Sequence, residues 1–161
     1  RGPNGESLCW YECTVQGGRK GSGLDVVQVT RACEALGAGE ILLNCIDSDG
    51  QQAGFEHPLL CMVKAAVSIP VIASSGAGKA AHFSECFGAT GAEAALAASI
   101  FQRHQVEIDH VKAECHAKGF TVRARAGAKP KGAGSQRFVW AAVAIAAGVL
   151  VAFELSKRAR A

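Results

Sequence analysis

The chain has 161 residues, of which 49% are apolar and 19% are charged, and its formal net charge is +3. This composition suits one packed domain with a small appendage and excludes a wholly disordered chain. Much of the positive charge follows Lys118, and so mild an excess does not indicate a surface for nucleic acid.

The seven cysteines, at positions 9, 13, 33, 45, 61, 86 and 115, form an odd set without a C-x-x-C pair. Several occupy apolar positions, where cysteine behaves as a small hydrophobic residue. The pattern favours reduced thiols in a cytosol, stroma or matrix over a disulfide framework. The sequence starts at Arg1 and not at Met, which we interpret as removal of a presequence or as an incomplete sequence.

In chain order, the first predicted element is a strand at CWYECTV, residues 9–15, which is rich in aromatic and β-favouring residues. The glycine-rich GGRKGSG predicts a loop, and Ser22 with Asp25 three positions later fits a capping box. A helix is predicted next, because apolar residues recur at helical spacing from Val26 to Leu36.

Three apolar runs follow, EILLNCI, PVIAS and AEAALAASIF, and each predicts a buried strand. Helices are predicted at about 59–67 and 81–87 and around 108–115, after the successive runs. This alternation of strand, loop and helix indicates βα units on a parallel sheet, an α/β fold.

From residue 124 the composition changes, and residues 124–137 are predicted to form a basic linker rich in Gly, Ala and Pro. The apolar segment 138–155 predicts a single transmembrane helix, because it is apolar all round, and a basic tail, 156–161, ends the sequence. A buried helix covering the domain is the alternative. Flanking basic residues place the domain on the cytosolic, stromal or matrix side. An interfacial tryptophan and small residues spaced for helix packing are the predicted membrane contacts: Trp140, Ala142, Ala144, Ala146 and Gly148.

Three motif matches fail on spacing. GAGK at 76–79 lacks the first P-loop glycine, and Ala80 stands where a magnesium-binding hydroxyl belongs. DSDG imitates part of a calcium loop but follows a strand and not a helix. The cluster of His104, His110, Cys115 and His116 matches no standard ligand spacing, so we predict no metal site.

The segments DSDG, SSGAG and AAS each lie just after a buried strand, where a parallel barrel builds its binding face. Small residues there allow backbone N–H groups to approach an anion, and helix N-termini add a favourable field. A phosphate-binding cradle and simple turn chemistry both fit this pattern.

The segments GAGEILLNCIDSDGQQAGF, SIPVIASSGAGKAAHFSECF and AALAASIF closely resemble the cyclase part of imidazole glycerol phosphate synthase, a (β/α)8 barrel. The opening GPNGESLCWYECTVQGGRKG resembles the eukaryotic form, in which glutaminase and cyclase share one chain. The resemblance covers residues 1–123 and implies a partial (half) TIM-type barrel of about three to four βα units. Its loops after the sixth, seventh and eighth strands imply these phosphate-binding residues: Asp49, Gly50, Ser74, Ser75, Gly76, Ala98 and Ser99.

The same resemblance assigns acid/base catalysis to two aspartates at the ends of the first and fifth strands, and no residue of this sequence matches either. No catalytic residue is therefore predicted, and no cofactor is required beyond a possible phosphate ligand. Whether pigment or lipid contacts the apolar segment is left open.

These observations lead to a first hypothesis of a non-catalytic accessory subunit of a large organelle membrane complex. A photosystem of the thylakoid is placed ahead of a respiratory complex of the mitochondrial inner membrane, with other membrane subunits and the lipid bilayer as partners. The alternatives are the C-terminal fragment of a split imidazole glycerol phosphate synthase completed by another chain, and a phosphate-ligand-binding module.

Overall fold

The computed structural model of the chain describes residues 9–123 and 151–159. The strands are β1 Cys9–Val15, β2 Lys20–Asp25, β3 Ile41–Cys45, β4 Val71–Ser74, β5 Ala94–Leu96 and β6 Val151–Ala159. The helices are α1 Val26–Ala35, α2 His57–Ala66, α3 Ala80–Thr90, α4 Ser99–Gln102 and α5 Ile108–Ala117.

All six strands form one sheet in the order β2-β1-β6-β3-β4-β5. The strands β6, β3, β4 and β5 run parallel, whereas β1 is antiparallel to both of its neighbours, β2 and β6. The predicted βα alternation is therefore present in β3, β4 and β5. Because adjacent parallel strands end at the same edge of a sheet, the loops after them gather on one side.

The core lies between this sheet and its helices. In β3 the residues alternate between fully buried and half-buried positions, and Ile41, Leu43 and Cys45 are the buried ones. Val71 and Ala73 continue the buried layer in β4. Burying each large aliphatic side chain contributes about 1.5–3 kcal/mol, so this layer holds the parallel strands in register.

The predicted loop GGRKGSG is a turn followed by a strand. Gln16, Gly17 and Gly18 have positive φ angles and reverse the chain, so that β2 pairs with β1. The capping box is also wrong, since Asp25 itself is the N-cap of α1. Its carboxylate accepts from the backbone N–H of Val27 at 2.8 Å.

The run AEAALAASIF is not one strand. Only Ala94–Leu96 pairs with β4, and Ser99–Gln102 forms the short helix α4. The backbone leaves the extended region at Ala98, where φ is −120° and ψ is −65°. This bend places Ala98 and Ser99 in a loop at the sheet edge.

The predicted membrane helix requires a correction. Residues 138–150, with all five predicted packing residues, lie outside the described residues, whereas 151–155 belong to strand β6. In β6 the backbone pairs with β1 on one side and β3 on the other, so the sheet takes up its hydrogen-bonding groups. Among the described helices, none combines the length and hydrophobicity that crossing a bilayer requires.

Six described cysteines carry free thiols, and four of them are buried. Burial raises the pKa of Cys13 to about 12 and that of Cys86 and Cys115 to about 11. These thiols are therefore protonated at neutral pH and act as core residues.

Candidate functional site

A cavity of about 450 Å³ opens at the carboxyl ends of β3, β4 and β5. All seven residues implied as phosphate-binding lie in its wall, although they come from three separate loops. Their phosphate-binding role stays a prediction. Among the described residues, the lining is formed by Asn44, Asp49, Gly50, Ser74, Ser75, Gly76, Ala77, Leu96, Ala97, Ala98, Ser99 and Gln102.

The loop after β3 begins with a tight turn. The backbone N–H of Ser48 donates to the carbonyl of Cys45 at 3.1 Å, and that of Asp49 donates to Ile46 at 3.2 Å. Gly50 follows with φ of +74°, a conformation that glycine adopts without a steric penalty. The turn brings exposed Asp49 and Gly50 to one wall of the cavity.

The loop after β4 is fitted closely against the loop after β3. Gly54 donates its backbone N–H to the carbonyl of Gly76 at 2.8 Å. A Cβ on Gly76 would overlap the carbonyl oxygen of Gly54, and one on Gly78 would overlap that of Gln52. Ser75 also has a positive φ of +76° although it is not glycine and is only 7% exposed. The first two walls of the cavity are thus locked to each other by backbone contacts.

Asn44 is a site residue that the sequence analysis missed. It is half-buried in β3, and its Oδ1 accepts hydrogen bonds from Ser74 Oγ at 3.0 Å and Ser75 Oγ at 2.5 Å. One amide oxygen therefore orients both serine side chains of the cavity. The available signal was a single amide residue inside the apolar run EILLNCI.

His82 holds the loop after β4 through a hydrogen bond to its backbone. The residue is only 7% exposed, and its Nδ1 accepts a hydrogen bond from the backbone N–H of Gly78 at 3.1 Å. Burial, with a contribution from nearby Lys79, lowers the pKa of His82 below its usual range. The ring is therefore neutral at neutral pH, which is the state that can accept this hydrogen bond.

The third wall, from the loop after β5, is tied to the first by side chains. Gln52 Nε2 donates to Gln105 Oε1 at 2.9 Å, between the loop after β3 and the turn after α4. Ala98 and Ser99 line the cavity on this wall. Both are small, so the backbone of this wall remains accessible to a ligand.

No potential metal centre of three or more His, Cys, Asp or Glu side chains occurs within the described part of the chain. Of the cluster considered above, Cys115 is fully buried with a thiol pKa of about 11. The His104 side chain is 84% exposed and faces Glu107 at 3.9 Å. The structure does not bring these residues together.

Parallel strands with small-residue loops gathered at their carboxyl ends define a βα protein with a cavity at that edge of the sheet. Residues 4–109 match the family described as histidine biosynthesis protein. Since this match covers more than half of the sequence, the chain belongs to that family.

Three relatives of the chain are named as imidazole glycerol phosphate synthases or as a subunit of one. Imidazole glycerol phosphate synthase hisHF of Schizosaccharomyces pombe is 60% identical over 111 residues, which is 69% of this chain and 20% of that protein. The chloroplastic hisHF enzyme of Arabidopsis thaliana is 54% identical over 122 residues, 76% of this chain and 21% of that protein. Imidazole glycerol phosphate synthase subunit HisF of Haloquadratum walsbyi is 48% identical over 120 residues, 74% of this chain and 44% of that protein. The chain thus spans about a fifth of the hisHF relatives and less than half of the HisF subunit.

These relatives overturn the first functional hypothesis. All three are named as synthases, so the prediction of a non-catalytic accessory subunit is wrong. The photosystem and respiratory-complex assignments, the membrane-subunit partners and the thylakoid or inner-membrane location are wrong with it. The alternative of a synthase fragment agrees with the relatives better.

Proposed function

We propose that this chain contributes the phosphate-binding edge of the cyclase barrel of an imidazole glycerol phosphate synthase. In this proposal β3, β4 and β5 are the sixth, seventh and eighth strands of the barrel, and residues 9–123 belong to its C-terminal part. The observation that carries the proposal is the convergence of three consecutive βα loops on one cavity of about 450 Å³.

The chemistry of the cavity wall suits a phosphate group. Its residues are mostly small or hydroxyl-bearing, so a ligand can reach the backbone N–H groups of the loops. The loop after β4 leads into α3, a helix of 11 residues, whose N-terminal end favours negative charge. Asp49 is the one carboxylate among the described residues of the wall, and it is exposed to solvent, where its charge is screened.

Orientation of the serine hydroxyls adds specificity to this wall. Asn44 Oδ1 accepts hydrogen bonds from the hydroxyl groups of Ser74 and Ser75. An entering phosphate offers charged oxygen acceptors, which form stronger hydrogen bonds than an amide oxygen does. We propose that both hydroxyls rotate from Asn44 to the phosphate when the ligand binds.

Cyclisation itself needs the two catalytic aspartates of the family, and no residue of this sequence matches either of them. Acid/base catalysis requires positioned side chains within hydrogen-bond reach of the reacting atoms. The proposed activity therefore belongs to the assembled barrel, with the remaining strands on the same polypeptide or on a second one. This chain's own residues bind and orient one phosphate of the substrate.

A chimera tests this function directly. Residues 9–123 replace the matching segment of the full-length S. pombe relative, and conversion of the aminoimidazole precursor is measured. We expect cyclase turnover to be retained, and to be lost in the same chimera carrying Gly76→Ala, which disrupts the cavity. A folded chimera without turnover, or equal turnover in the Gly76→Ala version, contradicts the proposal.

A further inference from the structure

The start of α3 is closed by a side chain of its own first turn. The helix begins at Ala80, and its N-cap Lys79 makes no side-chain capping hydrogen bond. Instead His82, the third residue of the helix, reaches back to the residue before the cap, and its Nδ1 accepts from the backbone N–H of Gly78 at 3.1 Å. Glu or Gln at this position closes a helix start in the same way in a capping box. His82 therefore holds the loop after β4 where that loop enters α3.

Gly78 links this helix start to the cavity. It follows Gly76 and Ala77, which both line the cavity. A Cβ on Gly78 would overlap the carbonyl oxygen of Gln52, so the loop after β3 lies directly against it. The backbone of Gly78 is thus held by two contacts, one to the loop after β3 and one to His82. His82 is not among the described residues of the lining, so it acts on a ligand through the loop and not by direct contact.

Only the neutral ring of His82 can make this contact. Protonation of Nδ1 replaces the acceptor by a second N–H, which then faces the N–H of Gly78. Among the described residues, the titratable groups that act on the ring are Lys79, Glu85 and His57 of α2, whereas α5, which also packs against α3, contributes none. Lys79 and His57 disfavour a positive ring, and so does the positive end of the helix dipole. A protonated ring must therefore leave the Gly78 N–H, and the loop loses this support.

We propose that His82 is a positioning residue of the cavity: its neutral ring holds the loop after β4 in the form that binds phosphate, and the loop binds the anion more weakly once the ring takes up a proton. The inference rests on the proposed function, since it requires an anion in the cavity. It also has a distinctive sign. A positive ring near an anion would by itself strengthen binding, whereas loss of the Gly78 contact weakens binding because the loop is no longer preorganised.

The test follows protonation of the His82 ring by the nuclear magnetic resonance signals of its imidazole nitrogens, in the full chain of 161 residues, with and without saturating sulfate. Sulfate is the probe because, unlike phosphate, it stays a dianion while histidine titrates. Proton binding and anion binding are reciprocally linked. If the neutral ring gives about tenfold tighter binding, bound sulfate lowers the measured pKa of His82 by about 1. A pKa that rises or stays the same under saturating sulfate overturns the inference.

Variants separate the acceptor from the rest of the ring. His82→Leu removes the acceptor, and we expect it to weaken sulfate binding at neutral pH about tenfold. His82→Asn offers an acceptor oxygen that does not titrate, so it should retain more of the affinity and show no fall on acidification. His110→Asn, at an exposed histidine of α5, is the matched control and leaves the affinity and its pH dependence unchanged. Equal affinities in His82→Leu and His82→Asn contradict a role for the acceptor.

Failure of the proposed function has a different signature. Sulfate and phosphate then leave the backbone amide signals of the cavity loops unchanged at every pH, and the inference falls with the function. Saturable binding without a lowered His82 pKa overturns the inference alone. The ring titration uses the unmodified chain, so it decides the question even where His82→Leu does not fold.

Discussion

The strands β3 to β5 and the C-terminal strand β6 lie in one sheet. The amino-acid sequence predicts a strand at each of β3, β4 and β5 but does not predict β6. The parallel strands carry their own helices and loops, and each unit is continuous in sequence. The strand β6 depends on pairing with β1 and β3, which are more than a hundred residues away. The comparison teaches that a sheet built from local βα units can be completed by a strand whose structure is not locally encoded.

The largest expected effect comes from the backbone lock between the first two loops. Gly76→Ala should lower the free energy of unfolding by about 4 kcal/mol, because its Cβ overlaps the Gly54 carbonyl and its φ is +93°. Urea denaturation measures this. Gly91→Ala is the control with a similar φ of +69° and open space around its Cβ, and we expect a loss of about 1 kcal/mol. Equal losses in the two variants would show that the loops are not locked together.

A proline substitution in β6 should affect the strands that pair with β6 and leave the more distant parallel strand unaffected. Phe153→Pro should cost about 3 kcal/mol, because a strand with neighbours on both sides cannot lose a backbone donor. Hydrogen exchange should then speed up in β1 and in β3 while β5 stays protected. Unchanged protection in β1 and β3 would contradict the placement of β6 between them.

Substitution of Asn44, which lies in β3 next to β6, should lower the stability by a smaller amount. Asn44→Ala leaves the hydroxyls of Ser74 and Ser75 without their acceptor, so we expect a loss of about 1–2 kcal/mol in stability. Thermal unfolding monitored by circular dichroism checks it. Asn44→Asp keeps an oxygen acceptor at this position and should retain more stability than Asn44→Ala does.

The smallest effect is a dependence on pH at the opposite end of the strands. Glu34 Oε1 accepts from Ser68 Oγ at 2.5 Å and from the Ser68 backbone N–H at 2.8 Å, and these bonds lower the pKa of Glu34 below its ordinary 4.5. A depressed carboxyl pKa gives stability that is full above about pH 4.5 and is lost as the pH falls through the folded value. The difference in Tm between the unmodified chain and Glu34→Gln should therefore be largest near pH 7 and shrink toward pH 3. A difference that grows on acidification would reverse the assigned sign.

Sequence reasoning found the βα alternation because each buried strand is a short apolar run followed by a helical period. It also placed the segments DSDG, SSGAG and AAS at one edge, because loops after parallel strands must meet there. The seven residues of these loops that line the cavity were named from the resemblance to the cyclase family. It missed β2, since a glycine-rich segment has little strand propensity and is held by Glu12, whose Oε1 accepts from the Gly23 N–H. It missed Asn44 because the reason for one polar residue in a buried strand lies in the neighbouring strand.

The same limit explains the error at residues 151–155. A continuous apolar run has neither the period of a helix nor that of a strand, so length and polarity alone favoured a membrane helix. Pairing partners decide such a segment, and they lie elsewhere in the sequence. The functional error followed from this one, since the membrane-subunit hypothesis depended on the same segment.

The central claim, that the cavity binds phosphate, is tested most directly by titrating the isotope-labelled chain with inorganic phosphate and recording backbone amide signals. We predict saturable shifts at Gly50, Gly76 and Ser99, which lie on three different loops, and none at Gly119, which lies far along the chain at the end of α5. Absence of saturable shifts at the three loops, or equal shifts at Gly119, would contradict the account.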